Sequence, residues 1–270
     1  MNKKVLISGG TGYIGSHISL ELFKLGFDVY IVDSFINSSP INLESLKQIN
    51  KQKNRNIRNG IYIIKGDIRD KKFLENLFLN ISENNQKFQA VIHLAGLKSV
   101  YESNLRPIQY WDVNVNGTIN LLNVMNKFNC KSIIFSSSAT VYGNSKEVFL
   151  KEELPFNPCN PYGETKAAIE KILSNVFKSD SDNWRICNLR YFNPVGADPS
   201  GLIGEKISLN PTNLMPYLNL VAGRLEKSLK IFGNNWPTKD GTAIRDYVHV
   251  SDIAYGHILA MSYLLSNKSQ

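Results

Sequence analysis

Cysteine is scarce in this chain. Only Cys130, Cys159 and Cys187 occur in 270 residues. An odd number at wide separation excludes a disulfide framework and shows no metal-ligand spacing, so the three read as reduced thiols of a cytoplasmic protein. Long apolar runs are also missing. Nothing approaches the roughly 18 apolar residues of a membrane span, and the N-terminus lacks the apolar stretch of a signal peptide. No internal repeat is present. The formal net charge is +8, yet the lysines are scattered and form no long basic run. That pattern speaks for a solvated surface, with help for anionic small molecules, and against a nucleic-acid partner.

What is present is an alternation. Hydrophobic residues make up 43% and charged residues 20% of the chain, the balance of a globular protein. Short apolar runs at 4–7, 29–32, 61–64, 90–94, 132–135 and 185–191 read as strands. Between them, helices are predicted near 14–25, 71–81, 99–128 (with a break at Pro107) and 161–177. Residues 42–53 are polar and amphipathic. Most of the strands are continuously apolar and therefore buried on both faces, which predicts a parallel sheet covered by helices: a doubly wound α/β fold. From about residue 192 proline, glycine and asparagine interrupt the rhythm. The expected division is a dinucleotide-binding domain over 1–191 and a smaller substrate domain over 192–270.

The first strand runs into Gly9-Gly10-Thr11-Gly12-Tyr13-Ile14-Gly15. Gly9, Gly12 and Gly15 are spaced for a tight turn, for close approach of a pyrophosphate to the backbone, and for packing of helix on strand. The helix N-terminus offers free N–H groups to phosphate. Glycines alone read equally well as an ordinary strand-to-helix turn. The second strand decides: it ends at Asp33, placed to hold a ribose 2′-hydroxyl and to repel a 2′-phosphate. Ser34, Phe35 and Ile36 follow, with no arginine among them. NAD is therefore expected rather than NADP.

A second constellation lies at Asn160-Pro161-Tyr162-Gly163-Glu164-Thr165-Lys166. Asn160 is a good N-cap and proline suits the first helical position. Tyr162 and Lys166 then share a helix face. Ionising a tyrosine near neutral pH needs its pKa lowered by about three units, and a neighbouring ammonium acts in that direction. Tyr142 and Lys146 have the same spacing but lie in a Gly-Asn-Ser loop, where four residues do not imply a common face.

Gly9 to Gly15, the Ser138 region and Tyr162/Lys166 together resemble the extended short-chain dehydrogenase/reductase family. Within it, Ala95-Gly96-Leu97-Lys98, Asn114-Val115-Asn116-Gly117-Thr118, Ser136 to Gly143, Arg190 to Ala197, Asn213 to Tyr217 and Arg245 to Val250 are similar to the UDP-glucose 4-epimerases. The resemblance covers essentially the whole chain. It implies that Tyr13, Ile14, Asp33, Ser34, Phe35, Ile36, Asn37, Ser38, Asp67, Ile68, Leu94, Ala95, Gly96, Leu97, Lys98 and Asn114 line an NAD site, together with Ser138, Tyr162, Lys166 and Phe192. It implies that Tyr162 removes the proton of the sugar 4-hydroxyl while Ser138 hydrogen-bonds that oxygen. Hydride passes to the nicotinamide, the 4-keto sugar turns over, and hydride returns to the other face, interconverting UDP-galactose and UDP-glucose in galactose metabolism. Phe192, Asn193, Asn213, Leu214, Lys230, Ile231, Phe232 and Arg245 are implied to line the UDP-sugar site. Each has a plainer alternative: a solvated surface lysine for Lys98, a helix cap for Asn114, core packing for Phe192 and Phe232, an ion pair with Asp246 for Arg245.

Members of the family extend several tens of residues further, and the resemblance therefore leads one to expect weakened UDP-sugar binding in residues 1–270 alone. It also implies a homodimer built on the helices near 115–128 and 161–177. Two other functions stay open. A sugar-nucleotide 4,6-dehydratase begins with the same oxidation but needs an acid beside Ser138, where Ala139-Thr140-Val141 stands instead. A non-catalytic NAD-binding protein is the other.

Overall fold

The structure is a computed structural model and describes residues 3–38, 42, 44–45, 48, 59–83, 86–145, 147–205, 213–231 and 233–266. Strand β1 (Lys4–Ser8) is wholly buried and leads through the glycine turn into α1 (Tyr13–Lys24). Then come β2 (Asp28–Asp33), β3 (Ile61–Lys65), α2 (Lys71–Ser82) and β4 (Phe88–His93). The predicted helix over 99–128 is four pieces: α3 (Val100–Leu105), α4 (Pro107–Tyr110), a π-helical turn (Trp111–Asn116) and α5 (Gly117–Lys127). The first break falls at Arg106, whose φ of −135° and ψ of 54° follow from the proline after it. Strand β5 (Ser132–Ser138) carries the serine run that the sequence placed beyond it. Helix α6 (Pro161–Ser179) and β6 (Arg185–Tyr191) match the expected positions, with Asn160 accepting the Gly163 N–H at 2.9 Å as the cap.

The strands form one parallel sheet in the order β3-β2-β1-β4-β5-β6. Alternation along β1 sends Val5 and Ile7 to one face and Leu6 to the other. Leu6 packs with Leu74 and Phe78 of α2, Leu121 and Met125 of α5, and Ile169 and Leu173 of α6. Ile119, expected on the buried side of α5, is exposed. The buried stripe of α5 runs through Thr118, Leu121, Leu122 and Met125, and at 100° per residue Ile119 falls outside it.

The opposite face is covered by Ile18 and Leu22 of α1 together with Ile258, Met261 and Leu264 of α8 (Val250–Ser266). Helix α8 lies in the stretch expected to belong to the smaller domain, yet its apolar side completes the core of the sheet. Between β6 and α8 run β7 (Asn193–Val195), α7 (Leu214–Ala222) and β8 (Tyr247–His249); β7 and β8 pair in parallel apart from the main sheet. The amphipathic 42–53 stretch lies mostly outside the described residues.

Candidate active site

The carboxyl ends of the parallel strands open into a cleft, where ligands bind in sheets of this kind. At its floor, Gly9 has φ +75°, and a Cβ there would sit 2.7 Å from the Ala95 nitrogen. A Cβ on Gly15 would lie 2.5 Å from the Gly9 carbonyl oxygen, so α1 could not pack on the turn. Gly12 is different: its Cβ would meet only the Gly9 oxygen, at 3.4 Å. Gly12 also caps α1 without a side-chain hydrogen bond, and the first turn holds no acidic residue. The helix therefore presents unpaired N–H groups and partial positive charge to the cleft, which suits a diphosphate.

Asp33 stands at the end of β2. Its Oδ2 accepts from the Thr11 N–H at 3.1 Å and the Thr11 hydroxyl at 2.5 Å. Its Oδ1 accepts from the Ser38 hydroxyl at 2.8 Å and the Phe35 N–H at 2.9 Å. Phe35 reaches it from a left-handed backbone at φ 60°, a conformation unfavourable by about 1–2 kcal/mol for a residue with a Cβ. The carboxylate is thus aimed into the cleft by the turn around it. The glycine motif gave no role to Thr11, whose place inside it was the available signal.

Tyr13, Ile14, Ser34, Ile36, Asn37, Ser38, Asp67, Ile68 and Leu94 to Lys98 also line the cleft. Asp67 is ion-paired with Arg69 at 2.7 Å, which holds its carboxyl below the usual range. Lys98 lies 3.8 Å from Glu205 across the opening. Asn114 is not on the cleft wall but behind it. Its Oδ1 accepts the Leu97 N–H at 2.8 Å, and its Nδ2 donates to the Leu97 carbonyl and to Thr165 Oγ1, both at 3.1 Å. It clamps the Ala95–Lys98 loop to the first turn of α6.

Ser138 closes β5, and Tyr162 and Lys166 come from α6; all three line the cleft. The Lys166 ammonium is buried, donates to the Ser136 carbonyl at 2.8 Å, and lies 4.7 Å from the Phe135 ring centre and 5.8 Å from that of Tyr162. Burial pushes Lys166 down to about 8, so it keeps its charge at neutral pH. The spacing predicted a lowered Tyr162 phenol. In the structure burial raises it and outweighs the opposing hydrogen bond with Ser138. An ammonium directed at a carbonyl and a neighbouring ring does not offset the loss of water around a phenolate. Tyr142, set aside in the sequence, accepts from Arg190 at 2.8 Å and is buried on the other side of the strand; Lys146 lies outside the described residues.

Phe192, Asn193 and Asn213 also line the cleft, and Phe192 is exposed rather than packed in the core. Leu214, Lys230, Ile231 and Arg245 are exposed and are not brought to it; Arg245 donates to the Ile244 carbonyl at 2.8 Å. They sit on short elements that make little contact with the sheet. Phe232 lies outside the described residues. Ser136, Thr140, Tyr191 and Glu205 line the cleft without having been singled out.

A parallel sheet with a glycine turn, an acidic residue ending β2 and a Ser-Tyr-Lys group on β5 and α6 defines a dinucleotide-dependent enzyme of the short-chain dehydrogenase/reductase class. Residues 5–269 match the NAD dependent epimerase/dehydratase family, and the chain belongs to it. UDP-glucose 4-epimerase 2 of Arabidopsis thaliana is 48% identical over 264 residues, covering 98% of this chain and 73% of that protein. The solved UDP-glucose-4-epimerase of Stenotrophomonas maltophila, with bound NAD and formylated UDP-arabinopyranose, superposes with a TM-score of 0.89 at 41% identity, covering 98% of this chain and 75% of that one. The enzyme of Bifidobacterium longum, in complex with NAD+ and UDP, gives 0.87 at 45% identity, over 96% and 74%.

Proposed function

We propose that the chain is an NAD-dependent enzyme that interconverts UDP-galactose and UDP-glucose, in galactose metabolism. The observation that carries this reading is the meeting of Ser138, Tyr162 and Lys166 with the Gly12 helix terminus and Asp33 in one cleft. Gly12 and the N–H groups of α1 fit the diphosphate, Asp33 the adenosine ribose, and the Leu94–Lys98 loop the remainder of a dinucleotide. When bound, NAD supplies a hydride acceptor and donor and a positive charge near Tyr162. Tyr162 takes the proton of the sugar 4-hydroxyl and later returns it. Ser138 holds that oxygen by a hydrogen bond on both passes. Lys166 stabilises the phenolate electrostatically. Phe192, Asn193 and Asn213 enclose the sugar nucleotide.

Incubation of the chain with UDP-galactose and NAD, with products identified by NMR, tests this. UDP-glucose is the expected product. A 4-keto-6-deoxy sugar would point instead to the dehydratase, which the absence of an acid at 139–141 disfavours; NAD binding without turnover would point to the non-catalytic reading. For the domains, we take the NAD-binding unit as residues 1–191 joined by α8, and the remainder of 192–270 as the substrate domain. The unpaired thiols of Cys130, Cys159 and Cys187 favour the cytoplasm. No helix among the described residues is long and apolar enough to cross a membrane. Of the two helices expected to build a homodimer, the one near 115–128 buries its apolar side against the sheet through Leu121, Leu122 and Met125; a homodimer is favoured instead by the exposed Tyr101, Leu105, Ile108 and Trp111 just before it, with Phe177 on α6.

A further inference from the structure

Ser136 makes two contacts at once. Its backbone carbonyl accepts the Lys166 ammonium at 2.8 Å, and its side-chain hydroxyl is hydrogen-bonded to the Tyr191 hydroxyl. Tyr191 is the last residue of β6 and pairs in register with Ser138; Ser136 and Ser138 therefore lie on the same face of β5, the face that lines the cleft. The intervening Ser137 points the other way, to Glu170 at 2.5 Å. Tyr191 is thus the cross-strand neighbour of one catalytic candidate and, through Ser136, linked to another. Its ring centre lies 6.0 Å from that of the buried His257 of α8, tilted against it.

We propose that Tyr191 is a positioning residue: its hydroxyl, bonded to Ser136, fixes the carbonyl on which the Lys166 ammonium rests, and so sets the distance from that ammonium to Tyr162. This rests on the proposed epimerase reading and adds to it a residue that touches neither reacting atom. Without the Tyr191 hydroxyl, Ser136 has a free hydroxyl and the end of β5 loses a cross-strand tie at the edge of the sheet. The ammonium then has alternatives to its present seat, and stabilisation of the phenolate falls with distance. The charged and titratable groups packed around it do not replace that effect. Glu170 is engaged by Arg190 at 2.7 Å on the opposite face, while burial keeps His93 (about 3) and His257 (about 4) neutral.

The test is a cycle of Tyr191→Phe, Ser136→Ala and the double variant, both single changes keeping the backbone and the bulk. Each single variant should lower kcat by up to about tenfold with KM for UDP-galactose little changed, the scale of one hydrogen bond. The double variant should be no worse than either single one, because both remove the same bond. The acid limb of the kcat profile should move up by as much as about one pH unit, since the phenolate is harder to form. A purely structural role would lower Tm without moving that limb. Unchanged kcat and pH profile in Tyr191→Phe, or fully additive losses, would overturn the proposal while leaving the epimerase reading intact. If the unaltered chain shows no turnover, the epimerase reading fails. Tyr162 titration by ultraviolet difference, each protein against its Tyr162→Phe counterpart, then decides the positioning claim: a higher Tyr162 pKa in Tyr191→Phe supports it, and an unchanged one overturns it.

Discussion

The Lys166 ammonium lies 5.8 Å from the centre of the Tyr162 ring, four residues and one helical turn away. In the proposed function the ammonium acts electrostatically on the Tyr162 phenol across this separation. Tyr162→Phe keeps the ring and its packing but removes the proton acceptor. Epimerisation should fall by at least about two orders of magnitude, the ordinary worth of general base catalysis, while NAD binding persists. Progress curves and NAD fluorescence quenching measure the two effects separately. Near-normal turnover would remove Tyr162 from its role.

Asp33 is held by Thr11, Phe35 and Ser38. Asp33→Asn removes the negative charge but keeps the shape. It should weaken NAD binding by roughly tenfold or more, the loss of a charged hydrogen bond, and narrow the preference for NAD over NADP. Calorimetry with both dinucleotides checks this; a stronger preference of the unaltered chain for NADP would contradict it.

His93 and His257 are fully buried, and burial lowers them to about 3 and about 4. Between about pH 6.5 and pH 4 the unfolded chain takes up protons at both positions and the native state does not. Stability therefore rises with pH across that window and falls as the pH is lowered through it. Each group contributes a slope of up to about 1.4 kcal/mol per pH unit. Urea unfolding at pH 7, 6 and 5 should show the decline, and His257→Asn should flatten its share.

Glu170 is buried and accepts from both Nε and Nη2 of Arg190, with Ser137 as a further donor. Glu170→Ala leaves the guanidinium without its partner in a half-buried place. A loss near the lower end of about 3–5 kcal/mol is expected, or roughly 6–12 °C in Tm. Differential scanning calorimetry measures it, and a change below 2 °C would show the pair to be dispensable.

The exposed apolar side of α3 and α4 predicts self-association. Sedimentation velocity at micromolar concentration should give a dimer, and Ile108→Glu, at a residue 85% exposed, should give a monomer of unchanged fold. A monomer in the unaltered chain would refute the dimer.

The sequence by itself determined the elements whose reasons are local. The glycine spacing marks a tight turn, at Gly9 and Gly15 without room for a Cβ, the unbroken apolar strands require cover on both faces, and Asn160-Pro161 begins a helix that puts Tyr162 and Lys166 on one side. Contacts between distant segments belong to the tertiary structure alone. The π turn at Trp111–Asn116, which carries the Asn114 that bonds Leu97, has no periodic signature. The apolar side of α8 is legible, but not its partner, because an amphipathic helix does not specify which surface covers it. Nor does spacing disclose that Tyr191 meets Ser136 across two strands, or that burial raises Tyr162 where the nearby lysine alone would lower it. Those outcomes depend on solvent exclusion and strand register, which exist only once the chain has folded.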